Sequence, residues 1–102
     1  MEIKKTASAG TMESSDIMVT VAKGSHTGIE IQLTSSVEKQ FGAQIRSVIT
    51  SCALRLGVND AEITAVDQGA LDCVIKARTE TALYRAAEST DYKWEEKAWQ
   101  SD

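Results

Sequence analysis

The sequence is 102 residues long, 42% hydrophobic and 25% charged, which suits a single soluble globular domain able to bury its own core. Its formal net charge of −4 argues against nucleic-acid or anionic-membrane binding, since both need clustered Lys and Arg. Only 5% of the residues are aromatic, so aliphatic side chains must build the core.

The opening MEIKK is a loose start with no apolar run after it, and predicts no signal peptide or membrane span. Residues 7–12 are small and weakly patterned and suit an edge strand. From Ile17 the chain alternates: Ile17, Val19 and Val21 fall on one face, Met18, Thr20 and Ala22 on the other. KGSHTG, residues 23–28, is a flexible turn. Ile29, Ile31 and Leu33 then alternate with Glu30, Gln32 and Thr34, and the two strands are expected to form a hairpin.

Ser35 with Glu38 reads as a capping box opening a helix over about residues 36–56. Its predicted apolar stripe is Val37, Phe41, Ile45, Val48, Cys52 and Leu56, with Phe41 as a core anchor and Gly57 as the stop. A strand over 60–66 follows, with Ile63 and Ala65 on one face. Asp67-Gln68-Gly69 is a turn signal, and Leu71, Cys73 and Ile75 suggest a further strand over 71–76. A shorter helix is expected over about 78–89, rich in helix formers such as Glu80, Ala82, Leu83 and Ala86.

These elements predict an α+β fold: two β-hairpin-plus-helix units forming a mainly antiparallel sheet, with two helices packed on one face. Residues 1–90 form the domain, and 91–102, polar apart from Trp94 and Trp99, form a C-terminal tail.

Enzyme signatures are missing. Cys52 and Cys73 lie far apart, with no CxxC and no histidine cluster, so no metal site is expected and both read as reduced core thiols of a cytoplasmic protein. The one histidine, His26, sits in a glycine-flanked loop and reads as solvated. No phosphate-binding loop, GxSxG or HExxH occurs. The acidic pair Glu95-Glu96 lies in the tail, where nothing holds it in catalytic geometry.

The stretch SAGTMESSDIMV, residues 8–19, places two adjacent serines between Glu13 and Asp16, before an alternating strand. The bland reading is a turn kept wet by its acids. A nucleophilic serine needs a positioned base, and none is near in sequence. An exposed hydroxyl can also receive a group from an external enzyme, and the small neighbours Ala9, Gly10 and Thr11 permit that.

AGTMESSDIMV resembles the start of the citrate lyase acyl carrier proteins, the gamma subunits of that complex. The resemblance continues through SSVEKQFGAQIRSVI and VDQGALDCVIKAR, and together the segments span residues 9–78. It implies a non-catalytic carrier subunit of a cytoplasmic multienzyme complex active in citrate fermentation. In that family a serine near the amino terminus bears a covalent phosphoribosyl-dephospho-coenzyme A group, derived from the triphosphoribosyl precursor, through a phosphodiester. The matching position is Ser14, directly after Glu13, rather than its neighbour Ser15. The implied arm holds acetyl and citryl thioesters while citrate is cleaved to acetate and oxaloacetate. The implied partners are the alpha subunit (CoA-transferase), the beta subunit (citryl lyase) and the prosthetic-group transferase. The alternative is a non-catalytic scaffold subunit in which both serines are loop residues.

Overall fold

The structure, a computed structural model, describes residues 1–88. The expected last helical residue, Ser89, and the tail with Trp94 and Trp99 lie outside the described residues. Strict alternation sets β2, Ile17–Ala22, in which Ile17, Val19 and Val21 are fully buried. β1, Ala7–Gly10, and β4, Asp60–Asp67, flank it, both antiparallel to it. β3, Gly28–Ser35, runs parallel to β4 at the far edge, so the order is β1-β2-β4-β3.

The register aligns Ala9, Val19, Ala65 and Leu33 on the inner face of all four strands, and every one is buried. The outer face aligns Ser8, Thr20, Thr64 and Gln32, and the Ser8 and Thr20 hydroxyls bond each other at 2.9 Å. The inner side is covered by helices. α1, Glu38–Arg55, packs on β3; α2, Asp72–Ala87, packs on β1 and β2; and the helices pack on each other. The class is α+β with a mixed, mainly antiparallel sheet.

The expected pairing of β2 with β3 does not occur. β4 lies between them, and β3, α1 and β4 form a parallel strand–helix–strand crossover. β4 buries Ala61, Ile63, Ala65 and Asp67 in strict alternation and takes a central place. β3 keeps Ile29 and Ile31 only half-buried and takes the edge.

Residues 71–76 are not a strand either; Asp72 begins α2. The alternation is a strand signal, but it spans three residues, and of these only Ile75 is buried while Leu71 and Cys73 are exposed. The longer pattern decides: Ile75, Thr79, Ala82, Leu83 and Ala86 are buried at helical spacing, and no Gly, Asn or Pro interrupts α2. Among the described residues there is therefore no second hairpin and no pair of hairpin-plus-helix units. Cys73 consequently faces outward and is exposed, whereas Cys52 is buried as expected and burial pushes its thiol pKa up.

α1 is rotated from its predicted stripe. Ile45, Cys52 and Leu56 are buried, joined by Gly42, Ile49 and Ala53, but Phe41 is 51% exposed and Val37 and Val48 are half-buried. The helix faces both β3 and α2, so its buried arc centres on Ile45 and Ile49 and leaves Phe41 at the margin. The capping box is absent. Val37 is the cap residue without a side-chain bond; Ser35 Oγ instead donates to Asp67 Oδ2 at 2.9 Å and accepts the Val37 N–H at 3.1 Å. Glu38 reaches Arg46 at 3.7 Å. Gly57, at φ +75°, follows the end of α1 as predicted. Among the described residues no helix is long and apolar enough to cross a membrane.

Candidate functional site

The serine stretch is the connection between β1 and β2. It opens at Gly10, whose φ of +101° favours glycine and where a Cβ would strike the Ile17 carbonyl oxygen. The Glu13 carbonyl accepts the Asp16 N–H at 3.2 Å, so Ser14 and Ser15 are the middle residues of a tight turn.

The two serines differ in their constraints. Ser14 is exposed and makes no hydrogen bond with any described residue. Ser15, also exposed, has a left-handed backbone, φ +66°, rare for a residue other than Gly or Asn. Its N–H donates to the Gln68 carbonyl at 2.7 Å, and the Gln68 N–H returns to the Asp16 carbonyl at 2.9 Å. The turn is thus stitched to the end of β4.

Asp16 departs from the expectation that it keeps the loop wet. It is buried, and its carboxylate is fully engaged. Oδ1 accepts from Arg78 Nε at 3.0 Å and from the Ile17 N–H at 2.7 Å; Oδ2 accepts from Arg78 Nη2 at 2.8 Å and from the Thr11 hydroxyl at 2.6 Å. Burial of a carboxylate is tolerable when charge-assisted bonds replace its water. The Arg78 guanidinium foremost, then the Thr11 hydroxyl and the Ile17 N–H, hold the carboxyl well below the usual range. The same pairing raises the pKa of Arg78. Thr11 Oγ1 also accepts the Glu13 N–H at 3.2 Å.

A second buried carboxylate, Asp67, organises the neighbouring loop. It accepts the N–H groups of Gly69 and Ala70, each at 3.0 Å, and the Ser35 hydroxyl. Residues 11–16, 35–37 and 67–71 therefore meet at one end of the sheet. Beside them lies an open groove of about 350 Å3 with Ile45 and Ile75 in its wall and Phe41, Ala70 and Leu71 around them. Gln44 Nε2 spans from α1 to Asp72 Oδ2 at 2.7 Å.

No base touches the Ser14 hydroxyl among the described residues, so none of them supplies the activation a nucleophile needs. His26 is in the 23–27 loop beside the Gly28–Asp60 pair, at the other end of the sheet from Asp67. What the turn offers is two accessible hydroxyls without a partner among the described residues, Ser15's on a left-handed backbone tied to Gln68 and Ser14's free of that tie. Sequence reasoning marked Ser14 but missed Thr11 and Arg78. Arg78 is 62 positions from Asp16, beyond any local pattern.

The family described as malonate decarboxylase delta subunit (MdcD) matches residues 4–86. A Streptococcus mutans protein named citrate lyase acyl carrier protein is 60% identical over 96 residues, 94% of each chain. A protein of the same name from Lacticaseibacillus casei is 55% identical over 100 residues, covering 97% of this chain and 98% of its own. The chain belongs to the citrate lyase acyl carrier protein family. The fold has a solved counterpart in the crystal structure of a Pseudomonas malonate decarboxylase hetero-tetramer in complex with malonate. There the TM-score is 0.64 at 21% identity, covering 81% of this chain and 84% of that one. The segments that carry the family resemblance converge at the site: GTMESSDIM is the turn, SSVEKQFGAQIRSVI supplies Ser35, and VDQGALDCVIKAR supplies Asp67, Gln68 and Arg78.

Proposed function

We propose that this chain is the non-catalytic acyl carrier subunit of citrate lyase, working in the cytoplasm, with a phosphoribosyl-dephospho-coenzyme A group joined to Ser14 Oγ through a phosphodiester. What carries this reading is the 60% identity over 94% of both chains to a protein named citrate lyase acyl carrier protein. The turn supports the residue assignment. Ser14 is exposed and its hydroxyl unengaged, so a bulky group can be added without breaking a bond that holds the domain.

When bound, the group supplies a terminal thiol for carrying acyl groups. The chain's own residues fix its root: the Ser15 N–H on Gln68, the Asp16 carboxylate on Arg78, and the Asp67 carboxylate on the adjoining loop. Tethering keeps the carried group at high effective concentration for more than one active site. The proposed partners are the alpha and beta subunits and the prosthetic-group transferase. The net charge of −4 suits docking onto basic clefts.

Co-expression with those subunits, the transferase and the enzymes that make its precursor, followed by intact mass measurement, tests the proposal. A covalent adduct of the prosthetic group's mass is expected. An unmodified chain in an active complex would favour a scaffold subunit instead.

A further inference from the structure

Asp16 is the node of the serine turn. Its N–H closes the turn on Glu13, its carbonyl accepts the Gln68 N–H, and its carboxylate binds Thr11, Ile17 and Arg78. Among the hydrogen bonds of the described residues, Arg78 is the contribution to this node from a helix. Its planar fork matches both carboxylate oxygens, a geometry that fixes orientation as well as charge. The turn it steadies includes Ser15 at φ +66°, which surrounding contacts must maintain. Arg78 is not needed for the inner face of α2: its side chain is 40% exposed, while Ile75, Thr79 and Ala82 carry the packing.

We propose that Arg78 is a positioning residue for the covalent modification: acting through Asp16, it holds the turn that leaves Ser14 unengaged at the corner and so selects Ser14 over Ser15 as the acceptor. This rests on the carrier reading above. In the transfer, Ser14 Oγ gains a bond to the phosphorus nearest the ribose of the triphosphoribosyl precursor. The bond from that phosphorus to the outer phosphates breaks, diphosphate leaves, and the hydroxyl proton passes to the transferase or water. Adjacent hydroxyls on a loosened turn are near-equivalent acceptors; on the fixed turn both are exposed and unbonded, but Ser15 is pinned through its N–H to Gln68 in a left-handed backbone and Ser14 is not.

The test uses the full-length chain, the transferase and the triphosphoribosyl-dephospho-coenzyme A precursor, with Arg78→Gln, Arg78→Lys and Thr11→Val. Peptide mapping over time gives the rate and site of modification. Amide exchange on the unmodified chains follows Ser15 and Gln68 against Val19 and Ile63 in the core.

For Arg78→Gln, modification of Ser14 should slow at least about tenfold and the share on Ser15 should rise. The Ser15 and Gln68 amides should exchange at least about tenfold faster while Val19 and Ile63 stay protected. Lysine should rescue partly, because it restores the charge without the fork. If Arg78→Gln does not fold, Thr11→Val, which removes the 2.6 Å donor from an exposed position, should still slow Ser14 modification about threefold or more. A folded Arg78→Gln chain modified on Ser14 at the normal rate overturns the inference and leaves the carrier reading standing. So does a slowed rate accompanied by faster exchange throughout the core. Wild-type chain that gains no adduct on either serine overturns the carrier reading and this inference with it, whereas an adduct on Ser15 alone overturns the inference and the Ser14 assignment only.

Discussion

Arg78 grips Asp16 with both prongs of its guanidinium, Nε on Oδ1 at 3.0 Å and Nη2 on Oδ2 at 2.8 Å, and so ties α2 to the turn before β2. The pair is partly open to solvent, with side chains 40% and 13% exposed, yet it is bidentate and backed by Thr11 and Ile17. Removing the carboxylate charge with Asp16→Asn should lower stability at neutral pH by about 1–3 kcal/mol.

That difference should depend on pH in one direction. The carboxyl is held below its ordinary pKa by the guanidinium and its other donors. A depressed carboxyl stabilises the fold fully above its unfolded pKa of about 3.9, and the contribution fades as pH falls toward the folded value. Denaturant titrations of wild type and Asp16→Asn should therefore run a constant distance apart from pH 7 to about 5 and converge below about 4. A gap unchanged down to pH 2 would show that the pair does not bind the ionised form.

The rotation of α1 has a direct test in two alanine substitutions. Ile49 is fully buried and Ile49→Ala should cost about 2–5 kcal/mol. Phe41 is 51% exposed at the groove, and Phe41→Ala should cost about 1 kcal/mol or less. Equal, large losses in urea unfolding would place Phe41 in the core after all.

Ser15 should reveal its left-handed backbone through the residues it tolerates. Glycine reaches φ +66° without steric penalty, so Ser15→Gly should stay within about 1 kcal/mol of wild type. Ser15→Val adds a β-branched side chain in that region and should cost about 1–2 kcal/mol. Thermal unfolding in which valine is tolerated as well as glycine would contradict the turn geometry.

Alternation, helical spacing and the glycine stop made much of the fold legible, whereas the capping box read at Ser35 and Glu38 does not form. β2 follows from Ile17, Val19 and Val21, the length of α1 from its repeating apolar positions, and its stop from Gly57. Strand order was not legible, because alternation says which face is buried and nothing about which neighbour pairs. Only tertiary competition places β4 between β2 and β3. The start of α2 was misread because Leu71, Cys73 and Ile75 alternate as a strand does, although only Ile75 is buried and the helical pattern shows only when Thr79, Ala82 and Leu83 are counted with it. At the site, Ser14 was marked by resemblance and by its small neighbours. Asp16 was misjudged because local sequence cannot show the cation that neutralises it, and that cation arrives from the middle of another element.

The decisive measurement is peptide mapping of wild type, Ser14→Ala and Ser15→Ala chains after exposure to the transferase and its precursor, with lyase activity of the reconstituted complex read in parallel. Loss of one exposed, unbonded hydroxyl should change stability by less than about 0.5 kcal/mol, so all three chains should be folded. Wild type and Ser15→Ala should carry the adduct on Ser14. Ser14→Ala should carry none and leave the complex inactive. An adduct on Ser15 of the wild-type chain, or a fully active complex built with Ser14→Ala, would contradict the assignment.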